Sequence, residues 1–366
     1  MPERDAQAIR EACTRFATGH YPRTPRQTLA TLAAATPEDA RPDFYGGGVV
    51  ADFEAEMAAL LGKPAAVFMP SGTMAQQIAL RIWADRTGNP AFACHPTCHL
   101  ELHEDWAYRT LHGLHAELVG NRYRLLTLAD LQALRVPVGM LLLELPQRPI
   151  GGALPAWGEL VALTHWAREQ GIILHLDGAR LWECRPFYAP HDYAAIAALF
   201  DTVYVSFYKI LGGLTGAVLA GPEDVINEAR VWMHRHGGRV VHLYPYVLSA
   251  RQALAERLPR IEAYVARAQE VAAALRALDG VEITPDPPPT NMFQLFLRRD
   301  GDALREAALD IAEETGTWLL RGSALAPAQI PAYWMMEFVS GDATLDIPVA
   351  ELAGLYADLL RRAGTP

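Results

Sequence analysis

The feature that most constrains the fold is an alternation, from residue 49 onward, between short apolar runs and longer amphipathic stretches. Short apolar runs are typical of strands buried on both faces, and amphipathic stretches are typical of helices that cover a sheet. The alternation predicts an α/β fold with a mainly parallel sheet between helices. The predicted strands are 65–69, 91–94, 139–145, 172–176, 202–206 and 217–220, and the predicted helices are 73–86, 99–112, 156–170 and 222–236.

Breaks in this pattern divide the 366 residues into three predicted parts, since a chain of this length exceeds one ordinary core. Residues 1–42 contain several turn-forming prolines and indicate an N-terminal arm of the kind that often reaches a partner subunit. Residues 43–245 form the predicted large domain. Residues 246–366 are predicted to hold a long connecting helix at 246–278 and a smaller C-terminal α+β domain.

Composition excludes several classes of protein. The net charge of -10 argues against a nucleic-acid or anionic-membrane surface. No apolar run reaches the roughly 20 residues that a membrane span requires, and the first residues have no signal-peptide pattern. Four cysteines do not make a disulfide framework in a chain this long, so a cytoplasmic location is expected.

Lysine is almost absent, because only Lys63 and Lys209 occur among 32 basic residues. Lys209 follows the apolar run 202–206 and precedes a glycine-rich turn at 212–216. Apolar surroundings disfavour the charged amine and leave it able to attack a carbonyl group. We therefore interpret Lys209 as a chemical residue and Lys63, in a Gly-Lys-Pro turn, as a solvated one.

Asp177 ends the apolar run 172–176, where open α/β sheets bind their ligands. A helix cap is the alternative role. Together with Lys209, however, the carboxylate suits pyridoxal 5'-phosphate (PLP), which needs an amine and an acidic partner for its ring nitrogen.

Ser71, Gly72 and Thr73 follow the first predicted strand and open an amphipathic helix. A helix N-terminus of this composition is suited to bind a phosphate. An ordinary Ser/Thr N-cap has the same appearance in sequence.

The segment 94–104 is rich in possible metal ligands, namely Cys94, His95, Cys98, His99 and His103. Histidines spaced by four could share a helix face. A proline early in the segment and the absence of a structural-zinc spacing argue against a metal, and none is predicted. A ring from this segment lying over a cofactor is the better functional interpretation.

These residues, in this order, resemble the threonine aldolase and β-eliminating lyase group of fold-type I PLP-dependent enzymes. The resemblance covers about residues 43–245, and the element His-Leu-Asp-Gly-Ala-Arg at 175–180 is quite specific. The other matching motifs are Tyr45-Gly46, Ser71-Gly72-Thr73-Met74, His99 with Glu104, Glu144 with Gly151-Gly152, Ser206 with Lys209, and Gly237-Gly238.

The resemblance implies a role for each matching residue. It implies Lys209 as the Schiff-base lysine, Asp177 as the partner of the pyridine nitrogen and His99 as the ring stacked on the cofactor. The implied phosphate ligands are Ser71, Gly72 and Thr73 with Ser206 close by, and Arg239 as an arginine that reaches a neighbouring subunit's phosphate. Arg180 is the implied ligand of the substrate carboxylate, where a bidentate guanidinium fits well.

Three departures from the family pattern affect the substrate more than the cofactor. Two residues separate Ser206 from Lys209, Leu145 replaces a polar residue, and Glu337 stands near the position of a carboxylate-binding arginine. The implied activity is retro-aldol cleavage of a β-hydroxy-α-amino acid to glycine and an aldehyde, with His99 or His103 as the base.

Three alternatives remain open at this point. One is β-elimination from an amino acid to a 2-oxo acid and ammonia. The others are a nucleotide-binding protein without PLP and a scaffold without activity. The resemblance also implies a small amino-acid substrate and a homodimer or homotetramer.

Overall fold

The computed structural model describes residues 4–321, 325–328 and 330–364, in which the chain forms two compact units. The larger unit comprises Pro25–Pro149 and Leu154–Pro259. The smaller unit comprises the described parts of Met1–Thr24, Ile150–Ala153 and Arg260–Pro366.

The elements are numbered in chain order. The strands are β1 (Arg15–Phe16), β2 (Ala65–Met69), β3 (Ala91–Cys94), β4 (His115–Leu118), β5 (Met140–Glu144), β6 (Ile173–Gly178), β7 (Thr202–Ser206), β8 (Ala217–Gly221), β9 (Val281–Thr284), β10 (Met292–Leu297), β11 (Thr317–Trp318), β12 (Ala326–Pro327) and β13 (Trp334–Val339). The helices are α1 (Ala6–Ala12), α2 (Pro25–Ala35), α3 (Val49–Leu60), α4 (Gly72–Thr87), α5 (His99–His103), α6 (Ala107–His112), α7 (Leu128–Gln132), α8 (Trp157–Glu169), α9 (Arg185–Tyr188), α10 (Tyr193–Ala197), α11 (Glu223–Arg235), α12 (Tyr244–Arg257), α13 (Ile261–Leu275), α14 (Gly301–Thr315), α15 (Asp342–Leu345) and α16 (Val349–Arg362).

The larger unit is built on a seven-stranded sheet in the order β2-β8-β7-β6-β5-β3-β4. Neighbouring strands are parallel except at β8, which runs antiparallel to β2 and to β7. Every residue of β7 and β8 is buried, as expected for strands covered on both faces. The mainly parallel sheet predicted from the sequence is confirmed.

Helices α4 and α11 share a hydrophobic core with the sheet. Ile78 and Ala79 of α4 and Ile226 of α11 belong to the same buried cluster as Met140 and Leu142 of β5. Alternate residues of a strand share one face, so these two residues of β5 point to the same side of the sheet. This packing fixes α4 against the central strands of the larger unit.

The smaller unit contains an antiparallel sheet in the order β12-β13-β10-β9. Phe293 of β10 and Phe338 of β13 are fully buried and stack with ring centroids 4.7 Å apart. Helices α13, α14 and α16 pack together in this unit. Strand β1 pairs in parallel with β11, and it thereby joins the described residues before 25 to the smaller unit.

Two predicted helices are each divided in the structure. The predicted helix 246–278 is α12 followed by α13, because Pro259 lies between them and cannot donate a backbone hydrogen bond. The predicted helix 99–112 is α5 followed by α6, and Asp105 and Trp106 between them have positive φ angles. The boundary between the units lies at Pro259, and the described residues 4–24 belong to the smaller unit.

None of the described helices is both long and apolar enough to cross a membrane.

Candidate active site

The N-terminus of α4 lies against β7. Ser71 is the N-cap residue of α4, and its side-chain oxygen accepts the backbone N–H of Met74 at 3.3 Å. A Cβ atom added to Gly72 would lie 1.9 Å from the hydroxyl oxygen of Tyr204, so only glycine fits at this position. Thr73 occupies the same first turn, where the positive end of the helix dipole favours an anion.

Asp177 lies next to this helix, near the carboxyl end of β6. Its strand neighbours in register are Glu144 of β5 and Tyr204 of β7. Asp177 is 1% exposed, and burial raises the pKa of its carboxyl group. The carboxylate accepts the backbone N–H of Ala179 at 3.0 Å and the side-chain amide of Gln76.

Lys209 lies in the loop after β7. Its amine is 4.9 Å from the ring centroid of Tyr208, whose hydroxyl oxygen is 3.4 Å from that of Tyr204. The loop turns through Gly216, which has a φ of +107° and where an added Cβ would lie 2.3 Å from the ring of Phe68. Tyr204 contacts both the Lys209 loop and the start of α4, so these two elements lie on the same side of the sheet.

His99 begins α5 and forms an ion pair with a buried carboxylate. Its Nδ1 atom is 3.0 Å from Oε1 of Glu104, and the other carboxylate oxygen, Oε2, accepts the side-chain amide of Gln77 at 3.0 Å. The hydrogen bond from Glu104 raises the pKa of His99. The ring of His103 is 5.2 Å from that of His99, centroid to centroid, and burial lowers the pKa of His103.

Arginine and glutamate side chains complete the cluster. Arg180 follows Asp177 by three residues and is 8% exposed. Burial and the neighbouring Asp177 raise the pKa of Glu144, which accepts the backbone N–H of Arg148 at 3.2 Å. The positive charges of Lys209, Arg148 and Arg180 all lower the pKa of His103, so these groups lie within electrostatic range of one ring.

A family model described as β-eliminating lyase matches residues 24–298 of the chain, which include every site residue named above. The chain belongs to the β-eliminating lyase family. The predicted family is therefore confirmed, and so is the fold-type I architecture, since structures of that fold superpose on most of the chain.

Three relatives show how close the similarity is. A Listeria monocytogenes protein assigned as an L-allo-threonine aldolase is 40% identical, with a TM-score of 0.91 over 97% of this chain and 99% of that chain. An Exiguobacterium protein assigned as an aromatic amino acid β-eliminating lyase/threonine aldolase is 41% identical, with the same TM-score and coverage. The aldolase vrtJ of Penicillium aethiopicum is 33% identical over 81% of this chain and 79% of its own length.

The residues present fit the PLP cofactor of this family. Lys209 supplies an amine, Asp177 a buried carboxylate, His99 a half-exposed imidazole ring and Ser71 the N-cap of a helix. The start of α4 approaches Tyr204 so closely that only glycine fits at position 72. A carboxylate, an amine and a helix N-terminus are the groups that a ring nitrogen, an aldehyde and a phosphate require.

Two residues that the resemblance implied as phosphate ligands have other partners or surroundings. Ser206 is fully buried, and its hydroxyl donates to the carbonyl oxygen of Ala179 at 2.7 Å, so its proton is already used. Arg239 is exposed, and its guanidinium carbon lies 5.5 Å from the ring centroid of Tyr45. Gly238 packs on Met74, since an added Cβ would lie 2.4 Å from that sulfur, and so this loop adjoins the first turn of α4.

His95, a possible metal ligand in the segment 94–104, has other hydrogen-bond partners. His95 is 4% exposed, and its ring nitrogens contact Thr97 at 2.8 Å and the carbonyl oxygens of Asn121 and Arg124 at 3.0 and 2.9 Å. Among the described residues, no group of three or more His, Cys, Asp and Glu side chains is arranged to hold a metal ion.

One sequence interpretation requires correction. Lys63 is half-buried and donates to the carbonyl oxygen of Phe200, so it is not simply solvated. Glu337 of β13 forms an ion pair with Arg321 of the smaller unit.

Sequence reasoning missed Gln76, Gln77 and Tyr204, which contact Asp177, Glu104 and the start of α4. The available signal was two adjacent glutamines inside the apolar stretch of a helix, at positions that are 1% exposed in the structure. Buried side-chain amides are costly without partners, so they point to buried polar groups nearby.

Proposed function

We propose that this enzyme binds PLP and cleaves β-hydroxy-α-amino acids to glycine and an aldehyde. The main support is the juxtaposition of Lys209, Asp177 and the α4 N-terminus on one side of the sheet. The two relatives assigned as aldolases, at 40% and 33% identity, favour aldol cleavage.

In this proposal each residue has one task. Lys209 supplies the amine that holds the cofactor covalently, and the first turn of α4 binds its phosphate. Asp177 keeps a proton on the ring nitrogen, and Arg180 binds the substrate carboxylate through two parallel hydrogen bonds. When bound, the cofactor withdraws the electron pair of the Cα–Cβ bond as that bond breaks.

We assign the base to His103 and the stacking ring to His99. Burial and the surrounding positive charges lower the pKa of His103, so this imidazole is neutral at physiological pH and can accept the β-hydroxyl proton. The ion pair with Glu104 raises the pKa of His99 and fixes the orientation of its ring. The two histidines are therefore suited to different roles.

A product assay tests the reaction class. PLP-loaded protein is given L-threonine, L-allo-threonine, L-serine and L-cysteine, and glycine plus aldehyde is measured against 2-oxo acid plus ammonia. We expect glycine and acetaldehyde from a threonine isomer, lost in Lys209→Ala and kept in the matched control Lys63→Arg. Oxo acid with ammonia would instead establish the β-elimination that the name of the Exiguobacterium protein includes.

We further propose a homodimer or a dimer of dimers. Phe44 is 73% exposed and Tyr45 43%, and next to them Val240 and Val241 are also exposed. The backbone N–H of Tyr45 donates to the carbonyl oxygen of Val241 at 2.9 Å, so the two segments form one apolar surface. An exposed patch of this kind is typical of a protein interface. Light scattering of the purified protein and of Phe44→Asp tests this proposal, and a monomeric unaltered protein would contradict it.

The cytoplasmic location stays a prediction from composition.

A further inference from the structure

A continuous chain of hydrogen bonds extends behind Asp177 into the core of the larger unit. The indole N–H of Trp83 donates to the hydroxyl oxygen of Thr202 at 3.0 Å, and that oxygen is 2.9 Å from Nδ1 of His175. The other ring nitrogen of His175 is 2.8 Å from the amide oxygen of Gln76, whose amide nitrogen donates to Asp177. Each of these five residues is at most 8% exposed.

The chemistry of these groups determines which atom donates and which accepts in each hydrogen bond of the series. An indole N–H can only donate, so the hydroxyl proton of Thr202 remains for Nδ1 of His175. Nε2 of His175 then carries the proton that the oxygen of Gln76 accepts, and the amide nitrogen of Gln76 faces Asp177. Burial lowers the pKa of His175 to about 3, which keeps this ring neutral with a single proton.

The opposite direction is less favourable. If Asp177 were protonated and donated to the oxygen of Gln76, the amide nitrogen would face His175 and would require Nε2 as an acceptor. Nδ1 would then donate to Thr202, whose hydroxyl oxygen would accept twice and whose own proton would have no acceptor among these five residues. A buried donor without a partner is costly. The chain therefore favours the ionised form of Asp177.

The ionised form is also the one that burial opposes. The titratable groups of other elements that interact with Asp177 are His99, Glu104, Glu144 and Tyr204. Of these, only His99 can carry a positive charge, and Glu104 already pairs with it. The backbone N–H of Ala179 and the amide of Gln76 donate directly to Asp177, and they add to the charge of His99 in stabilising the ionised carboxylate.

We propose that Gln76 is a positioning residue, aligned by His175 and Thr202, which keeps Asp177 ionised and oriented toward the nitrogen of the bound cofactor. This inference rests on the proposed PLP function for its consequence. The hydrogen-bond chain itself is a property of the protein alone, so it can be tested with and without cofactor.

The test compares three variants. Gln76→Leu removes the donor, and Thr202→Val removes the hydroxyl that sets the direction while Gln76 and Asp177 remain. Thr164→Val is the matched control, because Thr164 is a buried threonine of α8 whose hydroxyl donates to the carbonyl oxygen of Leu160 at 3.0 Å, outside the chain. The dissociation constant of PLP is measured against pH for each folded variant by equilibrium dialysis.

We expect Gln76→Leu to weaken PLP binding about tenfold at neutral pH, the effect of losing one hydrogen bond to a charged group. The pH below which binding is lost should rise in Gln76→Leu and, by a smaller amount, in Thr202→Val. It should stay unchanged in Thr164→Val. An unchanged profile in Gln76→Leu would overturn the proposal, and a Thr202→Val profile equal to that of the control would overturn the alignment by Thr202.

The protein without cofactor supplies a second, independent measurement. Burial already raises the folded-state pKa of Asp177 above its unfolded value. The folded protein therefore loses stability as pH rises from the unfolded-state pKa to the folded-state pKa of this carboxyl group. Removal of the Gln76 donor should raise this pKa further. The thermal midpoint of cofactor-free Gln76→Leu should then fall more steeply with rising pH than that of the unaltered protein. If the unaltered protein fails to bind PLP while this slope changes, the proposed function fails and the role of Gln76 stands.

Discussion

The buried side of the candidate site and its half-exposed side are built from different contacts. Behind Asp177, the hydrogen-bonded groups Gln76 and His175 are neutral, and all three residues are at most 1% exposed. Around His99 and His103, charges pair or repel, and the side chain of His99 remains 31% exposed. The buried side is suited to hold a cofactor in one protonation state, whereas the half-exposed side is suited to exchange protons with a substrate.

The largest effect should come from the buried side. Asp177→Asn keeps the shape but removes the charge, and we expect the rate of aldol cleavage to fall about 10³-fold, the loss typical of removing a preorganised electrostatic group. The matched control is Asp201→Asn, because Asp201 accepts a backbone N–H at 2.8 Å before β7 begins, at the opposite end of the sheet. Initial rates of glycine release measure both. Equal losses would show that Asp177 has only a structural role.

The half-exposed side of the site should control how kcat/KM depends on pH. His103→Gln removes the proposed base, and we expect kcat/KM to fall about 10²-fold. Because burial lowers the pKa of His103, the acid limb of the unaltered enzyme should have its midpoint below about 6.5, the ordinary value for histidine. His165→Gln, at an exposed histidine of α8, is the control. An acid limb that survives His103→Gln would assign the base to another group.

A substitution at Arg180 should weaken substrate binding more than it slows catalysis. Arg180→Lys keeps the positive charge but loses the planar pair of donors, so we expect KM to rise about tenfold while kcat changes less. Arg185→Lys, on the exposed start of α9, is the control. Steady-state kinetics with the preferred substrate measure both constants. A fall in kcat alone would place Arg180 away from the substrate carboxylate.

The sheet of the larger unit could be predicted from the sequence because its strands are buried on both faces. Residues 65–69 and 202–206 were predicted as strands with the bounds that the structure has. Such strands appear as continuous apolar runs, and the side chains that follow them lie at one edge of a parallel sheet. The positions of Asp177 and Lys209 at that edge follow from the same pattern.

The contacts of the site could not be predicted in the same way. Gln76 and His175 are 99 positions apart in the chain, and their hydrogen bond depends on how α4 crosses the sheet. The break between α5 and α6 was also missed, because the positive φ angles of Asp105 and Trp106 have no glycine or proline to signal them. The break leaves the Glu104 carboxylate beside His99.

The smallest predicted effect measures the ion pair of the half-exposed side. Glu104→Gln removes the charge that raises the pKa of His99, while its amide oxygen can still accept from Gln77. A histidine whose folded-state pKa is raised contributes stability that is complete below its unfolded pKa and is lost as pH rises through the folded value. Glu104→Gln should therefore cost about 1 kcal/mol at pH 5.5 and less at pH 8.5. Thermal unfolding of the cofactor-free protein measures this difference.

A double-mutant cycle separates the ion pair from other effects of the substitution. In a His99→Phe background, Glu104→Gln should lose its pH dependence, because no titrating partner remains. A pH dependence that persists there would mean that Glu104 acts on another group, such as Asp177, with which it also interacts. In that case the pH dependence would come from the buried side of the site, and the assignment of proton exchange to the half-exposed side would have to be abandoned.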